Sequence, residues 1–412
     1  MAVRARDSLP PGPPPSPPPR QSPLLMLPLE EDEDGHGCRF FSIKDKTALA
    51  LRGFPEVFSE SRCVGSSHGW LVLLDKGSEP YLLDPLLGGR RVLRLPPVET
   101  FPCVLRVFRS DDDGCGLAAL YETVHLGCWR NTTLLSLQTL SDYIVSKAVL
   151  SANPNDVDKG KSCWVVVIFG SESKLAFCGC KDFGGGGAWT ELTGIHAPYS
   201  DVIFYDGTLF ALCNNGFVEA WDFNRDSPIK IMEIKSSFPP KSAEAAHALR
   251  KVCFTNSYLV EAGGEILLLV RFAGYFVNGD GVPVEEDYLL TEEDTHPLVC
   301  PYRTLYFHVY MLDMNTEEWM GLDSIGHRAV FVGGSQSASV SARDFPELEA
   351  NSVYFTDDYW EPAERDDLYG GHDMGVYNLQ SGKVKEICEL GSDKIEPPPF
   401  WVFPSDYRSK RG

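Results

Sequence analysis

Short apolar strings, separated by Gly, Asp, Asn and Pro, recur along the chain from about residue 38. Examples are RFFSI (39–43), WLVLLD (70–75), CWVVVIF (163–169), TLFALC (208–213), EILLLVRF (265–272), YFHVYML (306–312) and SVYFTDD (352–358). These strings are rich in β-branched and aromatic residues and show little helical periodicity, which favours β-strands. Alanine-rich residues 242–251 predict a helix. The pattern therefore predicts an all-β protein with at most one or two short helices.

The apolar strings also repeat as a unit. A strand that ends in Asp or Asn, a polar turn and a second strand occur together five times, anchored at Asp84, Asp182, Asp222, Asp313 and Asn378. The first interval, from Asp84 to Asp182, is 98 residues. This is about twice the blade period of roughly 40 to 50 residues, so we expect a further blade between residues 100 and 150. Because radial stacking buries both apolar faces of each small sheet, we predict a β-propeller of five to seven mostly four-stranded antiparallel blades.

The two ends of the chain differ in composition from the repeats. Residues 7–23 are dense in proline and residues 30–34 are all acidic, which predicts a disordered tail over residues 1–37. The propeller is predicted over residues 38–404, followed by a flexible basic tail over 405–412. A closed ring brings both ends of the domain into one blade, so we expect residues 400–403 to pair near residues 39–43. The acidic stretch within residues 274–301 predicts an exposed loop.

Four strings carry a resemblance to a known family: CVGSSHGWLVLLD, YLLDPLLGGRRVLRLPP, SVYFTDDYW and GGHDMGVYNLQSGKVKEI. Together they resemble the plant F-box-associated proteins with a KIB-type β-propeller domain, over residues 23 to 404. The resemblance implies a non-enzymatic propeller that receives the substrate of a ubiquitin ligase, usually behind an F-box that docks on a Skp-type adaptor. In this chain only DSLPP, at residues 7–11, is similar to the opening of an F-box, and the prolines after it cannot form helix interiors. We therefore expect no F-box in this chain and a protein partner other than the adaptor.

Charge and composition narrow the class of partner. The formal net charge of −21 disfavours nucleic acid and anionic membrane surfaces as partners. The longest apolar run, residues 163–169, is far shorter than the roughly 20 residues of a membrane-spanning helix. The N-terminus lacks the apolar stretch of a secretory signal, and the twelve cysteines show no paired spacing. These features predict reduced cysteines and a cytoplasmic or nuclear protein.

Motifs that could carry chemistry are better explained as turns. Residues 65–69 spell G-x-S-x-G, but a strand follows where a nucleophile elbow needs a helix, so we predict a tight turn. Residues 184–187 are four glycines without the Lys and Ser or Thr of a phosphate-binding loop, which predicts a flexible hairpin tip. Residues 111–113 are three aspartates without the spacing of a calcium loop. Cys178 and Cys180 are too close for a zinc pair. We therefore predict no catalytic residue, cofactor site or metal site.

The segment DDYWEPAERDDLYGGHD, residues 357–373, combines aromatic and acidic residues in a predicted loop. Exposed Tyr and Trp side chains are frequent interface anchors, and an acidic loop favours a basic partner. The candidate partner-binding residues are Tyr359, Trp360, Asp366, Asp367, Tyr369 and His372. An alternative is that Tyr359 and Trp360 are buried at a blade edge. Two other functions stay open, namely an enzyme with its site in the central channel and a truncated, non-functional member of the family.

Overall fold

The computed structural model describes most of the chain. The described residues are 21–29, 36–86, 91–109, 116–125, 129–159, 162–184, 186–195, 197–225, 227–235, 239–278, 282–285, 302–358, 370–388 and 394–404. Within them the backbone forms six sheets of four or five strands and one separate two-stranded sheet. The six larger sheets are the blades of a six-bladed β-propeller, which confirms the predicted fold class.

The first three blades follow one another along the chain, with an insertion after blade 2. Blade 1 contains β1 (Leu24–Leu27), β2 (Gly37–Ser42) and β3 (Thr47–Arg52). Blade 2 contains β4 (Arg62–Ser67), β5 (Trp70–Leu74), β6 (Pro80–Leu83) and β7 (Val92–Arg94). The insertion contains β8 (Leu117–His125), β9 (Trp129–Ser136) and helix α1 (Leu137–Tyr143). Blade 3 contains β10 (Val145–Leu150), β11 (Trp164–Phe169), β12 (Lys174–Gly179) and β13 (Thr190–Leu192).

The remaining blades complete the ring. Blade 4 contains β14 (Tyr199–Tyr205), β15 (Thr208–Cys213), β16 (Val218–Asp222) and β17 (Ile229–Ile234), and helix α2 (Pro240–Leu249) follows. Blade 5 contains β18 (Cys253–Ala262), β19 (Glu265–Gly274), β20 (Arg303–Asp313) and β21 (Glu318–Leu322). Blade 6 contains β22 (Arg328–Val332), β23 (Ala338–Ser341), β24 (Ser352–Phe355), β25 (Gly375–Asn378) and β26 (Lys383–Lys385). The last strand, β27 (Phe400–Val402), returns to blade 1. Helix α2 lies where the alanine-rich stretch predicted a helix.

Six apolar clusters hold the ring together, one at each junction between consecutive blades. At the junction of blades 6 and 1, Leu25 of β1 and Trp401 of β27 pack in one cluster with Phe331 of β22. The rings of Phe331 and Trp401 meet edge to face, with centroids 4.9 Å apart. Since every blade buries apolar side chains against both of its neighbours, the ring has no open junction.

Both ends of the domain meet in blade 1, as the sequence predicts, although residues 400–403 do not pair directly with residues 39–43. Strand β27 pairs with β1, with Leu24 opposite Val402, and β1 in turn pairs with β2. Residues 400–402 therefore share a blade with residues 39–43, but β1 lies between them. This strand falls inside the segment predicted as a tail, so the propeller begins before the predicted boundary at residue 38. Leu25, Met26 and Leu27 are buried, and this burial of apolar surface stabilises the four-residue strand β1.

The blade predicted between residues 100 and 150 is absent from the residues that the structure describes there. That interval instead holds the β8–β9 hairpin, helix α1 and the first strand of blade 3. Helix α1 packs in the junction between blades 2 and 3, where Leu137 and Leu140 are buried. The prediction was wrong because an insertion, and not a blade, accounts for the doubled interval.

Blade 6 departs from the four-stranded pattern. Strand β22 pairs in parallel with β24, and β23 adds a fifth strand at the edge opposite the exposed strand β26. The turn between β22 and β23, residues 333–337, contacts blade 2. The backbone N–H of Gln336 donates to the backbone carbonyl of Ser66 at 3.0 Å. A small cavity beside Gln336 and Ser337 is also lined by Ile203 of blade 4 and Glu261 of blade 5. Because residues 333–337 contact blades on opposite sides of the ring, they cross the central channel; we call them the channel plug.

The G-x-S-x-G string forms the tight turn that the sequence predicts. Residues up to Ser67 belong to β4, and Trp70 begins β5, which pairs with β4 in antiparallel fashion. His68 and Gly69 connect the strands with φ values of 53° and 81°. These positive values are those of a two-residue hairpin turn, and they suit Gly69 in particular.

Several other predictions concern segments that the structure does not describe or describes only in part. Residues 1–20, 111–113, 286–301 and 405–412, and Gly185 of the glycine run, lie outside the described residues. None of the eight cysteines whose thiols the structure describes forms a disulfide bond, and burial raises the pKa of Cys63 to about 12. In the part of the chain that is described, no group of three or more His, Cys, Asp and Glu side chains could hold a metal ion. No described helix combines the length and apolar composition that a bilayer crossing needs.

Candidate partner-binding surface

A large polar cavity opens at one end of the propeller axis, where β4, β10, β14 and β18 begin. Its volume is about 640 Å³, and blades 2 to 6 all contribute to its wall. Small polar side chains predominate there: Ser146, Ser200, Asn214, Thr255, Asn256 and Ser257. Gly333 and Gly334 of the channel plug also line this cavity, so the plug forms part of its floor. We call it the mouth cavity.

Arg62 and helix α1 form one side of the mouth cavity. The Arg62 guanidinium donates to the carbonyl oxygen of Ser141 at 3.0 Å and to that of Asp142. It thereby places a positive charge at the C-terminal end of α1, where unpaired carbonyl groups favour a cation. Burial raises the pKa of the Asp142 carboxyl, and Arg62 partly offsets this effect. Asp142 and the half-exposed ring of Tyr143 both line the cavity.

A buried ion pair lies at the wall of the mouth cavity, which Lys147 helps to line. Lys147 of β10 contacts Asp201 of β14 with a nitrogen to oxygen distance of 2.5 Å, and both side chains are almost inaccessible to solvent. The second oxygen of Asp201 accepts a hydrogen bond from the Leu259 amide at 2.7 Å. Burial raises the pKa of Asp201, while Lys147 acts in the opposite direction. Asp201 therefore connects the inner strands of blades 3, 4 and 5 just beneath the cavity.

Behind Asp358, which lines the mouth cavity, lies Arg271, a fully buried arginine in β19. Its guanidinium donates to Asp358 Oδ1 at 2.8 Å, to Asp373 Oδ2 at 2.6 Å and to Thr304 Oγ1 at 2.7 Å. The Tyr258 hydroxyl lies 3.2 Å away and itself donates to Asp358 at 2.8 Å. Burial alone would lower the pKa of Arg271, but its neighbours Tyr258, Asp373 and Asp358 raise it well above its ordinary value. The guanidinium is therefore charged and held in place by a complete set of acceptors.

Arg271 brings together the two ends of the segment in which the sequence predicts partner contacts. It also donates to the backbone carbonyls of Thr356 and Asp373, each at 3.1 Å. Asp357 Oδ2 accepts a hydrogen bond from the Tyr302 hydroxyl at 2.6 Å and a longer one, at 3.3 Å, from the Asp373 amide. The described residues on either side of 359–369 thus converge on one buried group, which we call the Arg271 clamp.

A second cavity continues the surface on the other side of Arg62 and Asp142. It has a volume of about 590 Å³ and is lined by Asp357, Gly370 and Gly371 as well as by Arg62 and Asp142. Asp358 lines the mouth cavity. The two described ends of the predicted segment therefore lie at the boundary between two neighbouring cavities.

The structure places only part of the predicted site. His372 is half-buried and lies beside Asp373 of the Arg271 clamp, whereas Tyr359, Trp360, Asp366, Asp367 and Tyr369 lie outside the described residues. Sequence reasoning missed Arg271, Asp142 and Lys147. A signal for Arg271 was available, because an arginine inside the apolar string EILLLVRF predicts a buried cation that needs carboxylate partners.

Comparisons with known proteins agree with this architecture. The model of the family described as KIB1-4 beta-propeller matches residues 40–378. F-box protein SKIP23 of Arabidopsis thaliana is 26% identical over 365 residues, which cover 86% of this chain and 79% of that protein. F-box protein KIB4 of the same plant is 23% identical, covering 93% of this chain and 84% of its own length. F-box protein KIB2, also of Arabidopsis thaliana, is 21% identical and covers 90% and 71%, respectively.

Proposed function

The chain belongs to the KIB1-4 β-propeller family, and on that premise we propose that it is a non-catalytic receptor that binds a protein partner across the mouth cavity. Relatives named F-box proteins support a role in the recognition of ubiquitin-ligase substrates. The observation that carries the proposal is the mouth cavity itself, which is large, polar and floored by the channel plug. A surface of this kind suits a polar protein segment better than a small apolar ligand.

Charge indicates the chemistry of the partner. Lys147 pairs with Asp201, and Asp358 is saturated by Arg271, Tyr258 and Asn256. Arg62 lines both cavities, and its guanidinium donates to the backbone carbonyls of Ser141 and Asp142. The Asp142 carboxyl lies at the same junction on a protein with a formal net charge of −21. We therefore propose a partner segment that carries Lys or Arg and contacts Asp142.

The predicted contact residues extend this proposal. Tyr359, Trp360, Asp366, Asp367, Tyr369 and His372 belong to the segment whose described ends the Arg271 clamp holds. We propose that the aromatic members of this group bind apolar parts of the same partner, while the aspartates add to the attraction of a basic segment.

A charge reversal at the cavity tests the proposed surface. Asp142→Lys reverses the charge at the junction of the two cavities, and Asp323→Lys makes the same charge change at an exposed turn after β21. Proteins captured from plant tissue by the unmodified chain are purified, and their affinities for both variants are measured. We expect at least one captured protein to bind Asp142→Lys about tenfold more weakly, corresponding to about 1.4 kcal/mol, and Asp323→Lys nearly normally. If every captured protein binds both variants equally well, the proposed surface is wrong.

Recruitment of the ligase is a separate question with its own test. We propose that these 412 residues do not dock on a Skp-type adaptor, because the prolines of residues 7–23 cannot form the interior of F-box helices. A pull-down with purified adaptor should show no direct binding, with an F-box protein as the positive control. Strong direct binding would show that docking helices are present.

A further inference from the structure

The channel plug is unusual in the polar groups that it buries. Ser335, Gln336 and Ser337 are at most 5% exposed although they belong to a turn and not to a strand. The plug touches the opposite side of the ring, where the Ser67 hydroxyl hydrogen bonds to the Gln336 side chain and, at 3.2 Å, accepts from the Leu150 amide. Polar side chains therefore fill the channel at the plug. Apolar side chains at the same positions would avoid the free-energy cost of taking polar groups out of water.

Four buried hydroxyl groups of this region have no hydrogen-bond partner in the protein. They belong to Ser66, Ser335, Ser337 and Thr356, each at most 3% exposed. In the part of the chain that the structure describes, these are all the buried side-chain hydroxyls that lack a partner. Ser335 and Ser337 belong to the plug. Ser66 lies next to it, because the backbone carbonyl of Ser66 accepts a hydrogen bond from the backbone N–H of Gln336. Thr356 packs against the plug residue Gly333, where a Cβ atom would clash with its hydroxyl.

The chemistry of this cluster matches one class of ligand. A hydroxyl both donates and accepts, as water does, and buried polar groups are nearly always satisfied by protein or by ordered water. Of the four residues, Ser337 lines the small cavity beside Gln336, whose volume of about 10 Å³ is about the space that one water molecule requires. The four groups are neutral, whereas a divalent cation would call for several carboxylate ligands.

We propose that the channel plug binds a cluster of ordered water molecules, which bridge Ser335 and Ser337 to Ser66 and connect Thr356 to the plug. These waters complete the hydrogen bonds of the floor beneath the mouth cavity. This inference concerns the interior of the ring and is independent of the proposed partner surface.

A crystal structure of the full chain at high resolution tests the inference directly. We expect water density within hydrogen-bond distance of at least three of the four hydroxyls. An empty space at these positions would overturn the inference, and so would a metal ion or an organic molecule in place of water.

Substitution of the hydroxyls gives a second, independent readout. If Ser66 and Ser337 bind water, Ser66→Ala and Ser337→Ala each remove a ligand of that water, and we expect the melting temperature to fall by about 1–2 °C. If the hydroxyls are dry, the same substitutions remove a buried group without a partner, and the melting temperature stays constant or rises. Ser171→Ala, at an exposed turn, is the control and should change nothing. Constant or raised melting temperatures of both Ser66→Ala and Ser337→Ala would contradict the inference.

Discussion

Arg271 shows how one side chain organises the candidate surface. Six hydrogen bonds of its guanidinium join strands β19 and β20 to both described ends of the segment around residues 359–369. The guanidinium also lies over the Phe355 ring, 5.0 Å from its centroid. Burial of a guanidinium without partners costs much free energy. Once its carboxylate partners are buried with it, removal of the guanidinium is also costly, because it leaves buried carboxylates without a cation.

Removal of the Arg271 charge should therefore destabilise the propeller. Arg271→Met leaves Asp358 and Asp373 without their cation, and we expect the free energy of unfolding to fall by about 3–5 kcal/mol in denaturant titrations. The control is Arg94→Met, since Arg94 is half-exposed and pairs with Asp75 at 3.3 Å. That change should cost less than about 1 kcal/mol. Equal losses in both variants would show that the Arg271 clamp is not a buried ionic network.

Glu219 of β16 predicts how stability depends on pH. Its carboxylate is buried and accepts hydrogen bonds from Tyr199, from Lys230 at 2.7 Å and from the Ile195 amide at 3.1 Å. Burial alone would raise the pKa of Glu219, but these hydrogen bonds lower it below the ordinary value of 4.5. A group with a lower pKa in the folded state stabilises that state above the unfolded pKa and loses this contribution as the pH falls through the folded pKa.

The melting temperatures of the unmodified chain and of Glu219→Gln should accordingly converge in acid. We expect the unmodified chain to be the more stable at pH 7, and the difference to shrink as the pH falls below about 4.5. Thermal melts between pH 7 and pH 3 measure this difference, with Glu318→Gln on the exposed strand β21 as the control. A difference that stays constant over the whole range would contradict the prediction.

At the scale of the secondary-structure elements, the local apolar pattern predicted where strands form, but it did not predict which strands pair with each other. Strings such as residues 70–75 and 163–169 form β5 and β11 because their side chains are buried on both faces. By contrast, the small polar residues of the channel plug and β23 carry no apolar pattern, and only the surrounding ring buries them. The parallel pairing of β22 with β24 likewise depends on the axial position of β23, which no local signal encodes.

The candidate site shows the same division. Composition singled out residues 357–373, and the described ends of this segment do lie at the two cavities. The mouth cavity itself could not be predicted, because residues from blades 2 to 6 meet there only after the ring closes. Arg271 is nearly 90 residues before Asp358 in sequence, so their contact depends on the packing of blade 5 against blade 6.

For the whole molecule, closure depends on blade 1, which combines strands from both ends of the chain. Strand β1 lies between β27 and β2, so its loss would leave the facing edges of both strands without backbone partners. Leu25 is fully buried in the cluster that joins blades 6 and 1, and Leu27 and Phe41 belong to the same cluster. The four residues of β1 therefore contribute both the hydrogen bonds and the apolar contacts that close the ring.

Two truncations separate the contribution of β1 from that of the preceding residues. Deletion of residues 1–20, which the sequence predicts to be part of a disordered tail, should leave the melting temperature unchanged. Deletion of residues 1–27 removes β1 as well, and we expect the melting temperature to fall by about 5 °C or more. The lost strand is worth several kcal/mol, and each kcal/mol shifts the melting temperature of a domain of this size by about 1–2 °C. Because the open ring also exposes strand edges, size-exclusion chromatography of the shorter protein should show association. Identical melting curves for the two truncated proteins would show that the ring closes without β1.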